Sequence, residues 1–281
     1  MLGRRNSPPF ICYKTRVLEC VVNISEGRDR RIVDELATTV ADDLLDVHTD
    51  AHHNRSVFTL IGEEAPRTLA QRAVELLDIS RHEGAHPRLG IVDVVPFVPL
   101  GDSSWDDALS ARDRFASWVS SELSIPVFLY GTERTLPDIR KHAFVDLSPD
   151  MGPLIPHQRA GAMCVGVRSV LVAYNVWLRD SDVATARHIA SVIRNPSLRA
   201  LGLQVGDRVQ VSMNLIEPMV TGPLQAFEAV REHASVDGAE LVGLIPQWVL
   251  DAIPQSRWEE LDVSPATTIE FRLAERARRL S

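Results

Sequence analysis

The sequence predicts an α/β (α+β) protein built as two lobes, on three observations. Short Val- and Ile-rich runs alternate with amphipathic helical segments along the whole length. The second half carries the order β-α-β-β-α-β, which is ferredoxin-like, and the first half is larger but made of similar parts. No helical-repeat or coiled-coil period appears.

Element by element, "VLECVVNI" (residues 17–24) reads as a strand. "RDRRIVDELATTVADDLL" places Ile32, Val33, Leu36 and Val40 at helical spacing. "SVFTLIG" (56–62) is a strand. Leu69, Ala73, Leu76, Leu77 and Ser80 mark one face of a helix over 65–79. The apolar run "IVDVVPFVPL" reads as a buried strand. In "SSWDDALSARDRFASWVSSEL", Ser104 can cap a helix whose apolar face is Trp105, Ala108, Leu109, Phe115, Trp118 and Val119. "IPVFLYG" (125–131) is another strand. Residues 132–161 are rich in Pro, Gly and His with weak periodicity, and read as a long loop of the kind that often carries function. "SVLVAYNVWL" (169–178) opens the second half, followed by a helix over 182–194. "LGLQVGDRVQVSMNLIE" reads as two strands around a Gly206-Asp207 turn. A helix opened by Gly222-Pro223 follows, and then a final strand in "ELVGLIP". The lobes join near Arg168–Val170, with residues 1–16 as a disordered extension, 17–169 as the first subdomain and 170–281 as the second. Each lobe is expected to hold a sheet with helices on one face.

Composition narrows the function. The 281 residues are 45 % hydrophobic and 24 % charged, as in an ordinary globular protein, and no apolar run is long enough to span a bilayer. The start has no apolar segment of a secretory signal. Cys12, Cys20 and Cys164 have no metal-site spacing and an odd count, which suits a reducing cytoplasm. A net charge of −8 argues against nucleic acid as a partner. The lysines are Lys14 and Lys141 and the other basic residues are Arg, whose rigid fork suits carboxylates where one points inward.

"SRHEGAHPRLG" (80–90) contains His82-Glu83-Gly84-Ala85-His86, a formal match to the H-E-x-x-H zinc signature. That signature needs both histidines on one helical face. Gly84 weakens a helix, and Pro87 pushes His86 out of the α region. The stretch is instead a loop entering a buried strand, and no metal is expected.

Polar stretches stand where strands end: "ECVVNISEGRD", "DAHHNRSV", "RHEGAHPRLGIVDVVPF", "PDMGPLIPHQRAGAMCVGVR" and "VAYNVWL". Together, and with "VSMNLIEP" and "LVGLIP" further on, they resemble the glutamate formimidoyltransferase family over about 18–246. No single string is decisive, but five in order are. The resemblance implies two α/β subdomains, the formiminotransferase N-terminal and C-terminal subdomains. Their mixed sheets face a substrate groove with helices outside, in a homodimer acting in the cytoplasm. It implies transfer of a formimidoyl group from N-formimidoyl-L-glutamate to tetrahydrofolate, in histidine breakdown. It further implies that the histidine of the H-P-R string, here His86, is the general base. The folate-binding segment is 152–161, with Gly152, Pro153, His157 and Gly161.

The chemistry sets its own demands. The donor amidine is cationic when protonated, and attack by folate N5 creates a tetrahedral centre with surplus positive charge. An imidazole suits the proton transfers. A carboxylate should steady the cation, for which Asp50, Glu26 and Asp93 are candidates. Forked donors such as Arg55, Arg88 or Arg168 should take the donor's carboxylates. Glycines in 152–161 would permit close approach to the folate ring. Asn23 and Asn175, at strand ends, complete the candidate set. Each also has a structural reading: Asn23 and Ser25 as helix caps, His52 and His53 as solvated loop residues, Arg88 as a surface ion-pair partner, Asn175 as a strand-end bridge. The sequence departs from relatives in having Ala85 where many carry Glu, His48 where a relative is acidic, and a basic Pro156-His157-Gln158-Arg159 loop. No cyclodeaminase domain is expected. A different formyl or formimidoyl donor, or a non-catalytic folate binder, are the competing functions.

Overall fold

The computed structural model describes residues 16–84 and 88–281. The first lobe begins β1 (Arg16–Ile24), α1 (Arg30–Thr39), β2 (Leu44–Asp50), β3 (Arg55–Ile61), α2 (Glu64–Leu76) and β4 (Val92–Gly101). These strands pair antiparallel in the order β2-β3-β1-β4, a second ferredoxin-like unit. After α3 (Trp105–Glu122) come β5 (Val127–Tyr130), α4 (Leu136–His142) and β6 (Met163–Val167). β6 runs parallel to β4, and β5 parallel to β6. The second lobe is β7 (Val172–Leu178), α5 (Val183–Ile193), β8 (Leu198–Val205), β9 (Arg208–Leu215), α6 (Pro223–Arg231) and β10 (Val236–Val242). Its order is β10-β7-β9-β8, antiparallel throughout, so only the first sheet is mixed. α7 (Gln247–Asp251) and α8 (Ile269–Leu280) follow.

Strand alternation divides each sheet into two faces. Cys20, Val22, Ile24, Phe58, Leu60 and Phe97 pack under α1–α3, as Tyr174, Val176, Val211 and Met213 pack under α5 and α6. Ser104 forms the expected capping box of α3, and Asp182 caps α5. The opposite faces look at each other. His48 Nε2 stands 3.3 Å from Glu240 Oε1. The Gly206 N–H donates to His52 Nδ1 at 3.1 Å. Leu244 and Ile269 pack with Leu45, Val98 and Leu100 of the first lobe.

Several expectations need correction. The helical reading of "ADDLL" ran too far. α1 ends at Thr39, and β2 was hidden because Asp46, His48 and Asp50 on its inner face are polar. The 132–161 stretch is not all loop: a Thr135–Asp138 capping box opens α4 within it. Helices are not confined to one face. Ile139 of α4 packs with Phe128 and Cys164, whereas Val127, Leu129 and Val165 lie on the α3 side. α8 crosses back to β2, where Arg276 pairs with Asp43 and Arg272 lies 3.5 Å from Asp46. The second subdomain therefore docks on the first beyond the 169–170 junction. Of the expected extension 1–16, Arg16 starts β1 and the rest lies outside the described residues. Among the described residues no helix is long and apolar enough to cross a membrane.

Glu19 lies on the inner face, 4 % exposed. Burial raises its pKa from 4.5 to about 7, against the attraction of Arg168. The folded protein therefore holds a proton that the unfolded chain releases above pH 4.5, so stability falls as pH rises from about 4.5 to 7. The loss is on the order of 3 kcal/mol. Glu19→Gln should remove this slope. Thermal unfolding at pH 5 and pH 8 checks it: the Gln variant should gain on the parent at pH 8, and parallel curves would contradict the assignment.

Candidate active site

The polar strings at the strand ends converge because each chain reversal is tied to another. Beyond β1, the Ser25 hydroxyl donates to Gly90 O (2.8 Å) and its N–H to Ile91 O (2.7 Å). Glu26 Oε1 accepts the N–H groups of Gly27, Arg28 and Asp29 at 2.7–3.0 Å. Gly27 lies so close to the β2–β3 hairpin that a Cβ there would stand 2.3 Å from Asp50 O. Asp29, not Asn23 or Ser25, caps α1. Asn23 faces the inter-lobe side between Val57 and Val94.

Asn54 is the hub. It is buried, with a left-handed φ of 50°. Its Oδ1 accepts the Gly27 N–H at 2.9 Å, its Nδ2 donates to Glu83 O at 2.8 Å, and its carbonyl meets His82 Nε2 at 2.9 Å. The sequence reading quoted "HHNRS" without giving Asn54 a role. An Asn directly before a strand, able to take positive φ, was the available signal.

The charges form one cluster. Asp93, 2 % exposed, accepts the Leu89 N–H at 2.7 Å and Arg140 Nη1 at 2.8 Å, with Arg140 Nη2 on its other oxygen. Arg55 and Arg88 share this field. Burial lowers the pKa of each, and Asp93 opposes that. Arg140 was missed because its helix was read as loop. Asp50 accepts the His53 N–H at 2.8 Å. Burial lowers the His53 pKa, with Asp50 pulling the other way.

His82 is held from two sides. The Arg88 guanidinium contacts its ring, and burial, then Arg88, outweigh the Asn54 carbonyl and lower its pKa. It is neutral at pH 7. It borders a cavity of about 480 Å³ lined by Ser25, Glu26, Asn54, Arg81 and Arg159 among others. A second recess lies beside Ile79, Glu83, Gly84 and Arg88. α2 ends at Leu76, and His82 has extended backbone (φ −90°, ψ 126°), so the helix the zinc signature requires is absent there. His86 lies outside the described residues.

The expected folate segment divides. Gly152 (φ 83°) packs against Ile125 O, and Pro153 is exposed beside it. At the other end His157 Nδ1 accepts the Ala160 N–H at 3.0 Å, and Arg159 reaches Leu77 O and the cavity. Gly161 has φ 74°, and a Cβ there would stand 2.2 Å from Leu89 O. Its close approach here is to the chain's own backbone. Gly161→Ala should therefore destabilise the fold by about 2 kcal/mol or more, by strain and clash together. Urea unfolding checks this, and an unchanged midpoint would contradict it. Asn175 stands apart from the cluster, on β7, donating to Glu240 Oε2 at 3.0 Å. Arg168 donates to Ser169 O at 3.1 Å.

This arrangement defines a cleft enzyme with half-buried arginines and imidazoles around the buried Asp93 at the strand ends of the first lobe. The sequence profile described as "Formiminotransferase domain, N-terminal subdomain" matches residues 17–168. A glutamate formimidoyltransferase of Streptococcus pyogenes is 35 % identical over 267 residues, 82 % of this chain and 89 % of the relative. One from Thermoplasma acidophilum is 36 % identical over 272 residues, 83 % and 89 % of the two chains. The formimidoyltransferase-cyclodeaminase of Sus scrofa is 32 % identical, over 85 % of this chain and 52 % of the relative. The chain belongs to the formiminotransferase family.

Proposed function

We propose that this protein transfers the formimidoyl group of N-formimidoyl-L-glutamate to tetrahydrofolate, giving 5-formimidoyltetrahydrofolate and L-glutamate. The observation that carries the reading is the match to the Streptococcus pyogenes glutamate formimidoyltransferase over 89 % of that enzyme's length. It spans both lobes rather than one motif.

In this reading folate N5 bonds to the amidine carbon while His86 takes the N5 proton. The carbon–nitrogen bond to glutamate then breaks, and the imidazolium returns the proton to the departing nitrogen. Arg55 and Arg88, held near Asp93, suit the donor's carboxylates. Neutral His82 fixes Arg88 and the loop that carries His86. Glu26, Asp50, Asn23 and Asn175 line the approach. Gly152, Pro153, His157 and Gly161 shape the loop beside tetrahydrofolate, and the working unit is a homodimer. No step calls for a metal, so chelators should leave the rate unchanged. A stoichiometric zinc whose removal abolishes turnover would contradict this.

Comparison of donors tests the function. With tetrahydrofolate present, kcat/KM should be far higher for N-formimidoylglutamate than for N-formylglutamate. The reverse order would make the protein a formyltransferase, and folate binding without turnover of either would make it a binding protein.

A further inference from the structure

The transfer needs an anion beside the cationic amidine, and the three carboxylates near the β1 and β4 ends accept hydrogen bonds within the first lobe. Asp93 is bound by Arg140 and Leu89, Glu26 by three backbone N–H groups, and Asp50 by the His53 N–H. Glu240 belongs to the second lobe. It sits on β10, on the face of the second sheet turned to the first lobe, with its side chain 26 % exposed. Its two oxygens meet neutral or weakly basic side chains: His48 Nε2 at 3.3 Å and Asn175 Nδ2 at 3.0 Å. Burial raises its pKa, but those two contacts outweigh burial and hold it below the usual carboxylate range. It stays an anion at neutral pH, unlike Glu19 deeper between the sheets. His53 interacts electrostatically with Glu240 and with Asp50, which links it to the arginine cluster. The same sheet face holds Gln210, 1 % exposed, whose amide oxygen and nitrogen have no partner among the described residues.

We propose that Glu240 is the carboxylate that receives the amidine end of the donor across the lobe interface, with His48 and Asn175 as its positioning residues. This rests on the function proposed above. Glu240→Gln keeps the size and one acceptor oxygen but removes the charge. It should lower kcat/KM for N-formimidoylglutamate by about 30- to 100-fold, the scale of a charged hydrogen bond. The KM for tetrahydrofolate should stay unchanged. Inhibition by N-formylglutamate, whose formyl group is neutral, should also stay as in the parent. Asn175→Ala, which keeps the charge, should show a smaller loss of the same selective kind. A rate like the parent's, or equal weakening of the cationic and the neutral ligand, would overturn the proposal. If Glu240→Gln fails to fold, Asn175→Ala decides by the same comparison. A parent that does not turn over formimidoylglutamate contradicts the function itself, before any variant is compared.

Discussion

Replacing His86 by Ala should lower turnover by roughly 10²–10⁴-fold, the usual contribution of a positioned general base. Folate affinity should stay within a few-fold. The expectation rests on the family resemblance of the H-P-R string and on the sequence rule that a residue before proline is biased to extended backbone. His82→Ala tests a different role. His82 is neutral and holds Arg88 and the Asn54 turn. Its loss should loosen the loop and cost about 10-fold or less through poorer alignment. The parent's rate should fall on the acid side as the base becomes protonated. That limb should vanish in the His86 variant and persist in the His82 variant. Steady-state kinetics across pH decide the matter, and a His82 change more damaging than the His86 change would reverse the two roles.

The largest stability effect should come from Asp93→Ala. Asp93 is buried and is the anion that Arg140, Arg55 and Arg88 all face. Removing one partner of a buried ion pair typically costs about 3–5 kcal/mol, because the remaining charge is left uncompensated. The Leu89 N–H, which tethers the loop leaving His86, also loses its acceptor. Urea unfolding should show the drop together with near-complete loss of activity. A change under about 1 kcal/mol would mean that solvent already compensates the arginines.

Apolar periodicity made most of the fold legible. β1, β3, β4, α3, α5 and the hairpin of β8 and β9 follow from alternation, helical spacing and the cap at Ser104. β2 did not, because a strand whose inner residues are Asp46, His48 and Asp50 carries charge where alternation would place apolar side chains. α4 failed because seven residues with Ile139 as the buried anchor give too little periodicity. The candidate site was legible as motifs but not as contacts. The "NISEG" and "HHNRS" strings could be recognised, yet nothing local says that Asn54 joins Gly27 to Glu83. Glu240 and His48 lie on separate lobes and meet only once both sheets have formed.

The most direct test of the central claim is product stoichiometry in a single reaction. Protein, N-formimidoyl-L-glutamate and tetrahydrofolate are mixed, released glutamate is measured, and an acidified sample is read for the methenyl absorbance that 5-formimidoyltetrahydrofolate gives on cyclising. The account predicts one glutamate for each folate product, with neither formed when tetrahydrofolate is left out. Glutamate released without a folate product, or at the same rate in its absence, would make the protein a hydrolase and contradict it.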